Sequence, residues 1–404
     1  MTGAPARAVT PWPVVAALIG AGVMVAFQVG KAPAALPVLQ QDLGIGLVMA
    51  GWVVSIFNML AMLAGAAVGV ACDRFGHRGG VVVGLVLTAA ASGVGATADG
   101  PVLLLLSRAV EGFGLILVAV SVPPLLARLA TDHDRPMVVG LWGTFMPIGM
   151  AAVMLAAPPV LAAGGWRSLW LASAGLLIVA GGLLWLVVAR LPGRSAAVRA
   201  AAQTGAWAGF RRTATAAGPV TLGMIFGTYA LQYLSLVSFL PLMMVTEGGY
   251  GIGFAATATA LVAAANALGN VLGAWLLHRR SPPWALCLSA SVLMGLFAPV
   301  VYADPLPEGL RFSAALAFSL VGGLIPSSLF AAAARLAPSP DLIGATNGLL
   351  MQGSNTGQML GPPALAALVA AAGGWHVAPW FLAAFALVTA GLSLRLRALE
   401  RREP

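Results

Sequence analysis

Three charged residues stand inside apolar runs of this chain: Lys31, Arg108 and Glu111. An ionised side chain at membrane depth costs roughly 2.5–3.5 kcal/mol on insertion scales and normally faces a partner or a wet cavity. Arg108 and Glu111 are three residues apart in "SRAVEGFG", so they share one helical face. Glu111 is the carboxylate placed well inside an apolar run, which makes it the candidate for taking a proton. Lys31, in "QVGKAPAALP", is the single lysine among 21 basic residues. Gln28 sits one turn earlier on the same face, and Pro33 and Pro37 bend the segment beyond it. Two readings stay open for each charge. Lys31 is about six residues from water, roughly 9 Å along a helix, and a lysine that close can snorkel. Arg108 and Glu111 can be a self-neutralising structural pair. Alternatively, two cations against one carboxylate supply counter-charge to a small anionic or polarised neutral solute.

Something must hold those charges away from water. Hydrophobic residues make up 60% of the 404, charged residues 8%, and the mean hydropathy is +0.95. Soluble domains carry about 25% charged residues, so composition predicts a polytopic α-helical membrane protein. Breaking the apolar runs at polar and Gly/Pro punctuation gives twelve helices, each able to supply the roughly 20 residues a crossing needs. They lie near 13–38, 48–71, 79–98, 101–127, 137–163 and 167–190, then 219–244, 254–277, 284–302, 310–334, 342–371 and 376–395. The expected division is a six-helix bundle over 1–190, a basic cytoplasmic linker over 191–218 with one amphipathic turn at Trp207–Arg212, and a second bundle over 219–404. The first apolar run reads as a retained helix, not a signal peptide. Cys72 and Cys287 lie far apart, so no disulfide framework or metal spacing is legible.

Positive charges sort by loop. Seventeen of the 21 basic residues collect on one side when the N-terminus, the linker and every second loop are placed together. Arg167 and Arg311 fall on the other side. By the positive-inside tendency both termini are cytoplasmic and the helix number is even. The net charge of +9 follows the membrane in this way and forms no nucleic-acid patch. The halves repeat weakly: "LLARLATDHD" (125–134) has a counterpart in "AAARLAPSPD" (332–341), and Asp99 corresponds to Asp304. Two joined repeats suggest a secondary transporter with its site at the midplane.

After the second helix comes "GVACDRFGHR", with Gly69, Asp73, Arg74, Gly76, His77 and Arg78. Gly76 permits a tight reversal. This stretch resembles the signature loop of the major facilitator superfamily, departing from it at His77. The resemblance implies a twelve-helix fold of two six-helix pseudo-repeats working by alternating access. It also implies a conformational latch in which Gly69, Asp73, Arg74, Gly76 and Arg78 take part, with Arg128 a partner for Asp73. "SRAVEGFG" resembles the superfamily's second motif. In "GLWGTFMPIGM", Gly143, Pro147 and Gly149 are present without the Gly-Pro signature of drug/proton antiporters. The four-residue spacing of Met146, Met150 and Met154 reads as packing. "GKAPAALPVLQQDLG" and "MAGWVVSIFNML" resemble the first two helices of the cyanate and 2-nitroimidazole branch, which places a cation near Lys31.

Neutral polar residues complete the candidate set. Substrate-binding candidates are Gln28, Lys31, Asn58, Arg108, Trp142, Gln232, Tyr233, Asn266, Asn270, Asn347, Gln352 and Asn355, with Glu111 as the proton-coupling candidate. No nucleophile–base or metal constellation is legible, so neither an enzyme nor a cofactor is expected. The expected partners are a small-molecule substrate, protons if transport is coupled, and the bilayer; the expected state is a monomer in a bacterial inner membrane. The leading reading is a secondary transporter of a small anion or polarised neutral solute. Its rivals are a proton-driven exporter of hydrophobic or cationic compounds, and a non-transporting receptor or assembly factor on the same scaffold.

Overall fold

The computed structural model describes residues 9–131, 133–188, 206–303, 306–339 and 342–401. Arg7, Asp304 and most of the 191–218 linker lie outside the described residues, as do the side chains of Asp73 and Arg74. Among the described residues the structure is helical throughout. Long apolar runs leave no other solution in a bilayer, because each backbone donor and acceptor must be satisfied within its own segment.

Helix α1 (Trp12–Leu43) stays continuous through Pro33 and Pro37. The second crossing is built from α2 (Leu47–Ser55), a tight turn at Ile56–Asn58, and α3 (Met59–Phe75). Next come α4 (His77–Ala96), α5 (Pro101–Leu129), α6 (Arg135–Trp142) and α7 (Phe145–Val188). The 44 residues of α7 would span about 66 Å if straight, twice a bilayer core. They are two passes joined at Gly164 and Gly165, where Gly165 takes φ +68°, a backbone conformation that glycine adopts without a Cβ penalty.

The linker's C-terminal end forms α8 (Ala206–Thr215), a helix longer than the single turn expected there. Then follow α9 (Ala217–Thr246), α10 (Ile252–His278), α11 (Pro283–Val301), α12 (Glu308–Gly322), α13 (Leu324–Leu336), α14 (Ile343–Ala372) and α15 (Ala378–Glu400). Ten stretches among the described residues are long and apolar enough to cross a membrane. Dividing α7 and adding α14, which is long enough but carries Asn347, Gln352, Asn355 and Gln358, brings the crossings to the twelve expected.

The chain divides into two compact units, residues 1–31 with 64–204 and residues 32–63 with 205–404. In the first unit α4 packs on α5 and α7. The α4–α5 approach is so close that a Cβ on Gly84 would lie 2.6 Å from the carbonyl oxygen of Gly114. In the second unit α14 lies along α9 through Gly353, Gly357 and Gly361. A Cβ on Gly357 would collide with the backbone carbonyl of Gly227. Small residues at four-residue spacing let apolar helices meet backbone to backbone, gaining dispersion contact where no hydrophobic effect drives association. The same helix takes α2 on another side, where a Cβ on Gly51 would sit 2.9 Å from the Cα of Pro363.

This packing generates a test. Gly357→Ala should destabilise the protein by about 1–3 kcal/mol, since backbone atoms must move apart. Gly348→Ala, on the same helix with nothing within 4 Å of its Cβ position, should be neutral or stabilise by up to about 1 kcal/mol. Thermal unfolding in detergent compares them, and equal effects would show that the glycine ladder does not set the approach of α9 and α14.

Candidate buried charge cluster

Within the first unit, α1, α4, α5 and α7 bring one polar cluster together. Lys31, Arg108 and Glu111 are each 0% exposed. Lys31 Nζ donates to Glu111 Oε1 at 2.7 Å, to Ser92 Oγ at 2.7 Å and to Ser173 Oγ at 3.4 Å. It also lies 4.4 Å from the ring centroid of Trp170, within cation–π range. Arg108 Nη1 reaches the other carboxylate oxygen, Glu111 Oε2, at 2.5 Å and donates to the Gln28 backbone carbonyl at 2.8 Å. One carboxylate therefore serves two cations, each on its own oxygen, and the three charges sum to +1. The burial of Lys31 removes the reading in which it reaches back to water, and the Arg108–Glu111 pair proves to be two members of a triad.

Local sequence explains the placement. Arg108 and Glu111 meet because i and i+3 share a face of α5. Lys31 comes from α1, one turn past Gln28. Ser92 and Ser173 are the residues that sequence reasoning missed. They face each other at 3.0 Å, and Ser92 also donates to the Trp170 carbonyl at 2.9 Å. Serines in apolar runs carry no spacing signal that links α4 to α7, so nothing in the sequence singles them out. Trp142 does not join the cluster. It stacks on Phe145 at 4.2 Å between ring centroids and packs against Gly22 of α1.

The second-unit candidates separate into several small sets. Asn266 Nδ2 donates to the Tyr229 hydroxyl at 2.8 Å and to the Ser319 carbonyl at 3.0 Å, while Asn270 donates to the Asn266 carbonyl at 3.1 Å. Tyr233 stacks on Tyr229 with centroids 5.9 Å apart. Gln232 turns instead to Thr389 of α15, at 3.3 Å. Gln352 donates to the Met62 carbonyl at 2.9 Å and Asn355 to Met351 at 2.7 Å. Asn58 donates to the Ser55 carbonyl at 3.4 Å. Asn347 is half-buried on α14. Several of these bonds tie a side chain to its own helix, so they order the bundle rather than converge on one point.

In the signature loop Gly76 takes φ +106°, where glycine is needed for α3 to reverse into α4. Arg78 is half-buried just beyond it, and Arg128 is exposed in the last turn of α5. Further on, Thr10 Oγ1 donates to Asp134 Oδ2 at 2.5 Å and Thr131 Oγ1 does so at 3.0 Å. Those two hydroxyls hold the Asp134 carboxyl below its ordinary range. Among the described residues no group of three or more His, Cys, Asp or Glu side chains could hold a metal ion.

Long apolar helices that carry buried, paired charges define a multi-pass membrane protein. The profile of the Major Facilitator Superfamily matches residues 18–351, and the chain belongs to that superfamily. An uncharacterized MFS-type transporter of Mycobacterium tuberculosis is 27% identical over 158 residues, 39% of this chain and 27% of that protein. The galactose-proton symporter of Escherichia coli is 27% identical over 177 residues, 43% of this chain and 36% of that protein. The D-xylose transporter of Levilactobacillus brevis is 29% identical over 169 residues, 41% of this chain and 35% of that protein. The chain thus spans about a third of the length of the curated relatives it matches. Solved structures agree on the fold. A bacterial homolog of the human lysosomal transporter Spinster superposes with a TM-score of 0.82 at 15% identity, covering 97% of this chain and 98% of that one. A D-xylose-proton symporter does so at 0.74 and 15% identity, covering 95% and 97%.

The triad's excess positive charge predicts an asymmetry. Glu111→Gln leaves two buried cations facing each other and should cost about 3–5 kcal/mol. Lys31→Met leaves Arg108 still paired with Glu111 and should cost clearly less. Unfolding midpoints in detergent measure both, and equal losses would mean that the charges are not compensated as a set.

Proposed function

We propose that this chain is a proton-coupled symporter of a small monoanion, and that Glu111 exchanges its role as counter-charge with the solute. The carrying observation is that both buried cations, Lys31 and Arg108, close on the single carboxylate of Glu111. An arriving anion that pairs with Lys31 and Arg108 takes over from Glu111, which then accepts a proton. The cluster holds +1 before and after, so no bare charge is created at membrane depth. On the far side the anion leaves, Glu111 releases its proton, and the carboxylate returns to both cations. One proton and one monoanion move together, and the cycle is electroneutral.

Proton coupling is supported by the galactose-proton symporter among the relatives. The solute class rests on the local charge balance, and the likeness of the first two helices to the cyanate and 2-nitroimidazole branch points the same way. In this reading the two six-helix halves, 1–190 and 219–404, alternate access to the site. Gly69, Asp73, Arg74, Gly76 and Arg78 latch one state with Arg128 as partner. The sorting of arginines by loop supports an inner-membrane protein with both termini cytoplasmic.

The test uses the missing charge. In Glu111→Gln the two cations lack compensation, so added monoanion should restore stability that wild type does not need restored. Acetate, formate, cyanate and nitrate, with galactose and xylose as neutral controls, are titrated against the unfolding midpoints of both proteins. At 100 times its dissociation constant a ligand adds about 2.7 kcal/mol. In vesicles, an inward proton gradient should drive anion accumulation by wild type, while Glu111→Gln performs only anion exchange. Midpoint shifts by the sugars alone, or gradient-driven accumulation that survives Glu111→Gln, would overturn the reading.

A further inference from the structure

Gln28 is fully buried, and neither its amide oxygen nor its amide nitrogen has a hydrogen-bond partner. Buried amides nearly always find partners, and removing one from water without replacement is costly. The residue is not loosely held. Its backbone carbonyl receives Arg108 Nη1 at 2.8 Å, and its place on α1 is one turn before Lys31. Two different deficits therefore lie side by side at this point of the fold. The two cations of the triad share a single carboxylate, and the amide one turn away on α1 lacks both a donor and an acceptor.

From these observations we infer that Gln28 selects for a hydroxyl group on the transported anion, so that the favoured solutes are small hydroxymonocarboxylates. This rests on the anion reading of the triad and narrows it. A hydroxyl is one donor with two acceptor lone pairs, so it satisfies both halves of the Gln28 amide, donating to Oε1 and accepting from Nε2. Lys31 and Gln28 are separated by one helical turn, a rise of about 4.5 Å. Side chains three residues apart leave the helix on one face, so a solute with its hydroxyl beside its carboxylate can meet both groups. Acetate or propionate satisfies the cations but leaves the amide as it is. A neutral sugar satisfies the amide but cannot take the place of Glu111 as counter-charge to Lys31 and Arg108. Only a solute carrying both groups answers both deficits.

The experiment is a set of matched titrations at constant ionic strength: lactate against propionate and glycolate against acetate, on wild type, Gln28→Leu and Gln28→Met. In wild type each hydroxy acid should bind at least about 10-fold more tightly than its deoxy counterpart, which is 1.4 kcal/mol at 25 °C. In both variants the hydroxy acids should lose their advantage over propionate and acetate. The unliganded variants should be at least as stable as wild type, because the amide they remove bonds to nothing. Equal binding of lactate and propionate by wild type overturns the assignment to Gln28 and leaves the anion reading standing. Survival of the preference in Gln28→Leu or Gln28→Met overturns it too. So does a marked loss of stability in both unliganded variants, which would make the amide structural. If none of the four acids binds wild type, the anion reading falls and this inference with it.

Discussion

The structure turns on one carboxylate that compensates two cations where no water reaches any of the three. Ion pairs in such surroundings attract strongly, but the gain only offsets the cost of stripping each charge of its hydration. The cluster therefore contributes little net stability when complete, and Glu111, which both cations share, becomes indispensable once they are buried. That condition constrains the elements around it. Helices α1, α4, α5 and α7 have to meet at one depth, and the close α4–α5 contact at Gly84 and Gly114 keeps two of them in position. A bundle held by backbone proximity has no need of the charges for cohesion. The triad is consequently available for something other than holding helices together.

Much of this was legible in the sequence because membranes impose simple rules. Apolar length marked the crossings, and the Gly164–Gly165 pair marked the reversal inside what is otherwise one 44-residue helix. Arg108 and Glu111 could be paired because their spacing is local. The third member was harder. Lys31 lies 80 positions from Glu111, and sequence alone left open whether it faced inward or reached for water. Ser92 and Ser173 were illegible, since long-range polar pairing leaves no periodic trace. The second-half amides went the other way. Asn266, Gln352 and Asn355 looked like solute ligands by type, yet Asn355 bonds within its own helix, and the others bond to neighbouring helices within their unit.

Glycine shows the same limit in another form. The spacing of Gly353, Gly357 and Gly361 is visible in the string, but its partner surface is not. Gly223 and Gly227 lie more than a hundred residues away, and only the fold shows that the two sets face each other. Backbone contacts of this kind fix distance without fixing chemistry. That division of labour leaves the polar groups free of any part in setting helix spacing.

The identity of residue 31 fits such a partner change. An arginine offers a planar fork that prefers two parallel bonds to one carboxylate, whereas a lysine offers three donors around a point charge. Lys31 directs bonds to three separate acceptors, the Glu111 carboxylate and the hydroxyls of Ser92 and Ser173, with the face of Trp170 alongside. If an anion takes the place of Glu111, the two serines still hold the ammonium where it is. The cation can then exchange one negative partner for another without a change of rotamer and without passing through an unbonded state. Arg108 is anchored in the same way by the Gln28 carbonyl. In the proposed exchange each cation keeps a neutral bond of its own while the shared carboxylate is given up, which lets Glu111 act as the switch.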